Sequence, residues 1–289
     1  MRPSGLTSAL AVVYVAAWAS AYVPSKIAAL AAPPLWFLVV RFLGAGALMG
    51  VIALALGRPF PRAGKAWLTY GALGVLANAA YLGLTYTALE RGLSAGVGSI
   101  VASTNPLILA LIAPRLLGEP LTGRKLLGLG LGFGGVAGVM LARTGGTTAR
   151  PAEIGLALLG VTSNVASTIL FKRAHGSTDL LAINTIQLLA AGLVLVPASF
   201  LVYGSPGADV TPALVAAYLY LVGVLSVGAS LLWFWLLSRG AASQVSAFYF
   251  LTPIFGLFFG AALLGETIAP GDGVGLLAVA LGIVLVQRG

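Results

Sequence analysis

The chain has 289 residues, 59% of them apolar and only 8% charged, with a formal net charge of +9 and no cysteine. Soluble domains carry about 25% charged residues, so there are too few charges here to clothe a water-facing surface, and most of the exterior must face lipid. The lack of cysteine excludes disulfides and thiolate metal sites, and in such a chain a basic excess reads first as membrane topology, not as nucleic-acid binding.

Roughly 20 apolar residues cross a bilayer as a helix, and the short alternating segments of a barrel are absent. Breaks at glycine, proline and charge clusters predict ten spans, at 6–30, 34–56, 66–89, 94–114, 123–142, 152–173, 180–202, 211–237, 241–264 and 272–287. The expected class is all-α integral membrane, with ten transmembrane helices, short loops and no soluble domain.

The first span begins after Arg2, and its Ala19-Ser20-Ala21 imitates a secretory cleavage site. The apolar run continues past that point, so it reads as a retained helix. It offers Trp18, Ser20 and Tyr22 as polar or aromatic groups away from loops, Pro24 as a kink, and Lys26 near its end. Arg41, a turn and a half into span 2, reads as a snorkelling cation or one paired with a helix end. Span 3 offers Asn78, Tyr81 and Tyr86; span 4 offers Ser99, Ser103 and Asn105, followed by Pro106. Ser99 and Ser103 are four apart and share a helix face. The glycines of span 5, Gly128 to Gly138, have the small-xxx-small spacing of close helix packing and lie within an apolar span, which argues against a nucleotide loop.

The later spans offer Ser163, Asn164 and Thr168 in span 6, Ser226, Ser230 and Trp233 in span 8, and Gln244, Ser246 and Tyr249 in span 9, before Pro253. Lys172 lies near the end of span 6, and the single histidine, His175, lies in the following loop. All seven acidic residues fall at loops or helix ends, so a buried carboxylate relay of the kind proton-driven transporters use is not expected.

The two halves of the chain resemble each other. Leu116-Leu117-Gly118-Glu119 returns as Leu263-Leu264-Gly265-Glu266, and at the same spacing Pro106 pairs with Pro253, Gly128 with Gly275 and Gly135 with Gly282. Arg91-Gly92 pairs with Arg239-Gly240, Gly46 with Gly192, Lys26 with Lys172, and Arg41 with Gln187. Each half, 1–145 and 146–289, holds five spans. Five is odd, so the second copy enters the membrane from the other side. Inverted repeats of this kind are a recurring plan of secondary transporters, with the substrate bound near the midplane between halves.

With the N-terminus placed in the cytoplasm, eleven Lys and Arg fall inside (Arg2, Arg58, Arg62, Lys65, Arg115, Arg124, Lys125, Lys172, Arg173, Arg239 and Arg288) and five outside (Lys26, Arg41, Arg91, Arg143 and Arg150). That asymmetry favours both termini in the cytoplasm.

Two five-span repeats, Asn105-Pro106-Leu107 answered by Thr252-Pro253-Ile254, and Gly-Glu-Pro answered by Gly-Glu-Thr together resemble the drug/metabolite transporter superfamily, in particular its ten-helix EamA-type members. Within that group the chain is similar to YddG-like amino-acid exporters. The resemblance implies export of amino acids or related metabolites across a bacterial inner membrane.

The substrate-binding candidates are therefore Trp18, Ser20, Tyr22, Asn78, Tyr81, Ser99, Ser103, Asn164, Thr168, Ser230, Trp233, Gln244, Ser246 and Tyr249. Pro24, Pro106 and Pro253 are candidate hinges, and Lys26 and Lys172 candidate cations at the mouths of the pathway. Glu119 and Glu266, each after a glycine at a helix start, read as caps or as gating contacts. No cofactor and no metal is expected. The expected partners are a small-molecule substrate and the lipid bilayer, not nucleic acid, with the protein a monomer or homodimer. A same-fold drug, sugar or nucleotide-sugar transporter is the alternative, although phosphorylated substrates call for clustered Lys and Arg that the midplane lacks. An intramembrane enzyme would need a histidine at depth, and a channel would need rings of charge or a repeated filter loop.

Overall fold

In lipid no water is present to satisfy a backbone, so each apolar stretch closes its own hydrogen bonds as helix. The computed structural model describes residues 5–93, 95–144, 150–252, 254, 255, 258, 259, 262 and 270–289. Among these, eight helical stretches are long and apolar enough to cross a membrane: Gly5–Ala31, Pro34–Ala55, Gly64–Glu90, Val97–Leu117, Gly123–Ala142, Pro151–Ala174, Leu180–Tyr203 and Pro212–Arg239. Span 9 opens at Ala242–Ala247, and Pro270–Arg288 forms span 10. The predicted ends agree to within a few residues; span 4 runs on to Leu117 because Pro114 sits inside the helix without ending it.

Several spans are interrupted. Span 1 breaks at Ala21, one turn before Pro24, into Gly5–Ser20 and Tyr22–Ala31. Span 4 breaks before Pro106 into Ala95–Ala102 and Asn105–Leu117, and span 9 tightens to a 3-10 turn at Phe248–Leu251. A proline supplies no N–H to the carbonyl four residues back, which loosens the preceding turn. Spans 3 and 8 instead contain wide π-helical turns, at Val75–Ala80 and Leu221–Ala229. These segments correspond in the repeat, since Arg91 pairs with Arg239 and, at that spacing, Asn78 pairs with Ser226.

The outer walls are two helix pairs. In spans 5 and 10, a Cβ on Gly128 would lie 2.6 Å from the Gly282 carbonyl, and one on Gly135 would lie 2.8 Å from that of Gly275. In spans 2 and 7, a Cβ on Gly46 would lie 3.0 Å from the Leu189 nitrogen, and one on Gly192 would lie 3.1 Å from that of Leu43. In both pairs the numbering rises along one helix as it falls along the other, so the helices are antiparallel. Exchanging each residue for its repeat partner returns the same contacts. Such a pattern arises from a two-fold axis crossing the helices, the relation between inverted copies. Without a hydrophobic drive between helices in lipid, close backbone contact at small residues holds these pairs together.

The turns after spans 2, 4, 6 and 8 gather with the C-terminus at one end. Arg58 pairs with Asp179 at 3.6 Å, Tyr70 Oη donates to Thr178 Oγ1 at 2.7 Å, and Arg173 Nε donates to the Leu116 carbonyl at 3.0 Å. At the opposite end the Asp209 amide donates to the Ala31 carbonyl at 2.9 Å, and the Trp36 indole to the Gly204 carbonyl at 3.2 Å. The first end is the basic one, carrying Arg58, Arg62, Lys65, Arg115, Arg124, Lys125, Lys172, Arg173, Arg239 and Arg288.

Candidate functional site

The interrupted spans meet at the centre. Trp18 of span 1, Tyr81 of span 3, Ser99, Ala102, Ser103 and Asn105 of span 4, and Tyr249 and Thr252 of span 9 line a cavity of ≈ 60 Å³, room for about five waters. Its walls are the two breaks themselves: 102–105 in span 4 and 249–252 in span 9. Backbone freed from helix inside a membrane is tolerated where it faces a wet cavity. Thr252 Oγ1 is buried there without a hydrogen-bond partner among the described residues, a polar atom open to a ligand. Opposite it in the repeat, Asn105 is held from behind, its Nδ2 donating to Asn164 Oδ1 at 2.9 Å.

Below the cavity lies an aromatic floor. The hydroxyls of Tyr14 and Tyr249 are 2.6 Å apart, and the Trp233 ring centroid lies 5.0 Å from each of theirs. Trp233 is seven residues from Gly240, about 10 Å at the helical rise, so this floor stands between the cavity and the basic end.

The basic end is tied by one contact across the repeats, at Glu119, and by one within the second, at Lys172. Glu119 accepts from the amides of Ala242 and Ser243 at 2.6 and 3.0 Å and from the Ser243 hydroxyl at 2.6 Å. The carboxylate thus caps the start of span 9, where charge-assisted bonds to backbone N–H groups are strong. This differs from the expected cap on its own helix, Gly123–Thr144. Lys172 Nζ donates to the carbonyls of Leu237 and Gly240 at 2.9 and 2.8 Å, closing the last turn of span 8. Lys172 is therefore a helix-end tie and not a cation facing the pathway. Beside it, His175 is held below its ordinary pKa by burial and then by the Lys172 charge.

The structure brings Trp18, Tyr81, Ser99, Ser103 and Tyr249 together around the cavity. Trp233 belongs to the floor. The other described candidates lie elsewhere. Ser20 donates to the Ala17 carbonyl and meets the Tyr220 hydroxyl at 2.6 Å. Asn78 reaches Gln187 at 3.4 Å, and Asn164 braces Asn105. Thr168 bonds its own helix, at the Asn164 carbonyl. Gln244 exchanges bonds with Gln287 of span 10, and Ser246 bonds the Ser243 carbonyl. Ser230 follows the π-helical turn of span 8, away from the cavity wall. Ser99 and Ser246, repeat partners, are thus divided, one lining the cavity and one not. Pro106 and Pro24 sit at the breaks of spans 4 and 1; Pro253, Glu266 and the side chains of Tyr22 and Lys26 lie outside what is described. Tyr14 and Thr252 were missed. Thr252 carried a signal, since it is the repeat partner of Asn105 and stands directly before Pro253.

Comparison with known proteins places this geometry. The EamA-like transporter family matches the chain twice, over residues 6–141 and 152–288. The uncharacterized inner membrane transporter YedA of Escherichia coli K12 is 28% identical over 98% of this chain and 91% of its own length. Protein PecM of Dickeya dadantii is 29% identical over 93% of this chain and 88% of its own length. The chain spans 66% of the WAT1-related protein At3g02690, chloroplastic, of Arabidopsis thaliana, at 27% identity. A solved crystal structure of 18% identity shares the fold, with a TM-score of 0.76 over 97% of this chain and 94% of that one.

Proposed function

The chain belongs to the EamA-like transporter family and is a multi-pass membrane transporter, not an enzyme, and from that premise we propose that it exports amino acids or related small metabolites by alternating access. The observation that carries this reading is the cavity between the broken spans 4 and 9, closed toward the basic end by the aromatic floor and the Glu119 tie across the repeats. The positive-inside rule puts that end in the cytoplasm, with both termini. The conformation is then closed inward. The halves 1–145 and 146–289 act as the two moving repeats, and the transporter works in a bacterial inner membrane like that of YedA, as a monomer or homodimer.

Three features favour a small, uncharged or zwitterionic cargo. The cavity is small, its walls are indole, phenol, hydroxyl and amide groups, and among the described residues no carboxylate or cation lines it. An aromatic wall takes apolar side chains with little discrimination. Among the described residues no carboxylate or histidine lines the wall, which favours facilitated flux or exchange over proton coupling.

Counterflow in proteoliposomes, scanned over the amino acids with and without a pH gradient, tests this. The expected result is exchange that is indifferent to the gradient and is reduced at least about tenfold by Trp18→Ala at equal expression. Strong stimulation by the gradient contradicts the exchange mechanism, and an absence of any amino-acid flux contradicts the substrate class.

A further inference from the structure

Arg41 stands where a fold has no need of a charge. It lies inside span 2 with 4% of its surface exposed. A snorkelling arginine, aimed past lipid at the headgroups, is exposed in the bare protein, so that reading is corrected. Its Nε donates to Ser226 Oγ at 2.9 Å, in the π-helical turn of span 8, and its guanidinium lies 5.7 Å from the Phe42 ring. Among the described residues the ion pair is Arg58 with Asp179, and no carboxylate meets Arg41. An intramembrane charge is costly and is by default a functional group.

The sister repeat supplies an internal control. The partner of Arg41 is Gln187, fully buried, and the partner of Ser226 is Asn78. Gln187 and Asn78 are joined by their own hydrogen bond, Nδ2 to Oε1 at 3.4 Å, at the matching π-helical turn of span 3. Both halves therefore tie a span to a π-helical neighbour with one polar contact. One half does so with a neutral amide, so the positive charge in the other is surplus to that structural task.

The surplus charge adjoins the transport region through shared packing. Trp18 and Tyr81, both on the cavity wall, pack with Tyr86 against the same apolar cluster that contains Leu38 and Phe42, the residues flanking Arg41 on its helix. Tyr86 lies within electrostatic reach of both Arg41 and Tyr81, and its hydroxyl donates to Ser25 Oγ at 3.0 Å. We infer that Arg41 is the anchor for an anionic group of the transported molecule, a carboxylate, held at the shoulder of the central cavity between spans 2 and 8. Ser226 holds the guanidinium by its Nε edge, and in this proposal the terminal amino groups take the carboxylate as a fork. The inference rests on the proposed export of amino acids and specifies which end of the substrate is recognised by charge.

Four probes with one side chain test it: leucine, leucinamide, 4-methylpentanoate and 3-methylbutylamine. Their binding is read as thermal stabilisation of purified protein, and leucine flux is read by counterflow. Wild type is expected to bind the two carboxylates at least about tenfold more tightly than the two ligands lacking one. Arg41→Gln, which installs the sister repeat's own residue, abolishes that preference, and Arg41→Lys retains part of it. Ser226→Ala, which leaves the charge, weakens carboxylate binding only a fewfold. A well-folded Arg41→Gln that keeps the preference overturns the anchor while leaving amino-acid export standing. Binding of 4-methylpentanoate but no amino-acid flux overturns the export reading while leaving the anchor. If wild type binds neither carboxylate, the anchor falls. Should Arg41→Gln fail to fold, Arg41→Lys decides: a carboxylate preference as large as that of wild type overturns the proposal, and a reduced one supports it.

Discussion

The walls and the centre of this protein solve the same lipid problem in opposite ways. The wall pairs, spans 2 with 7 and 5 with 10, are unbroken helices pressed together at glycines until backbone meets backbone. The centre, spans 1, 4 and 9 with the π-helical turns of 3 and 8, gives up regular backbone bonds and puts aromatic and hydroxyl groups in their place. Close glycine packing fixes one arrangement, whereas loosened turns make rearrangement cheap. The difference points to a division of labour: the walls hold the repeats together, and the centre, on the proposed function, carries cargo, with Arg41 reaching it from the wall.

The largest effect should come from breaking a wall. Gly282→Leu places a side chain where the Gly128 carbonyl would lie 2.5 Å from its Cβ. Backbone cannot retreat as a side chain can, so the expected loss exceeds the usual 1–3 kcal/mol of overpacking, read as lost monodisperse yield and a sharply lowered melting temperature.

Repairing the centre should have the reverse signature. Pro106→Ala restores an N–H that can reach the Ala102 carbonyl and draw span 4 straight. Flux should fall by about tenfold or more, while the melting temperature stays level or rises. A fall in both would mean that the break serves packing alone.

Glu119→Gln tests the seal between the two regions. It keeps one acceptor oxygen, for the Ala242 or the Ser243 donors but not for both, and removes the charge. A charge-assisted bond is roughly twice as strong as a neutral one, so inward labelling of the cavity should rise several-fold with little change in melting.

The smallest effect belongs to His175, which stacks on Phe171 at 4.8 Å in the turn after span 6. Burial and the Lys172 charge lower its folded pKa from 6.5, so the unfolded chain binds the proton more readily. Its contribution to stability is present above about pH 6.5 and is lost as pH falls below that value. His175→Gln should flatten this part of a melting-temperature profile between about pH 7 and 5, leaving flux at neutral pH unchanged.

The sequence made much of this legible. Span lengths follow from bilayer thickness, and the twice-written Gly-Glu word pointed to the repeat, although which helices pair as walls came only from the packing. Ser99, Ser103, Trp18, Tyr81 and Tyr249 were visible as polar or aromatic groups near mid-span. Other features were hidden because they depend on which helix turns toward which. Asn78 and Asn164 resembled cavity groups, yet each is spent on a buried amide partner. Glu119 finds its donors 123 residues away. Arg41 resembled a snorkelling cation because its distance from the span end permits it, and only the packing of spans 2 and 8 shows it turned inward.

Inversion of the two halves about the cavity is the claim on which the rest depends, and the cysteine-free chain allows a direct test. Leu121 and its repeat partner Ile268 are each replaced by cysteine and exposed to a membrane-impermeant maleimide in intact and permeabilised cells. The account predicts that position 268 labels in intact cells and position 121 only after permeabilisation. Labelling of both from the same side of the membrane would contradict it.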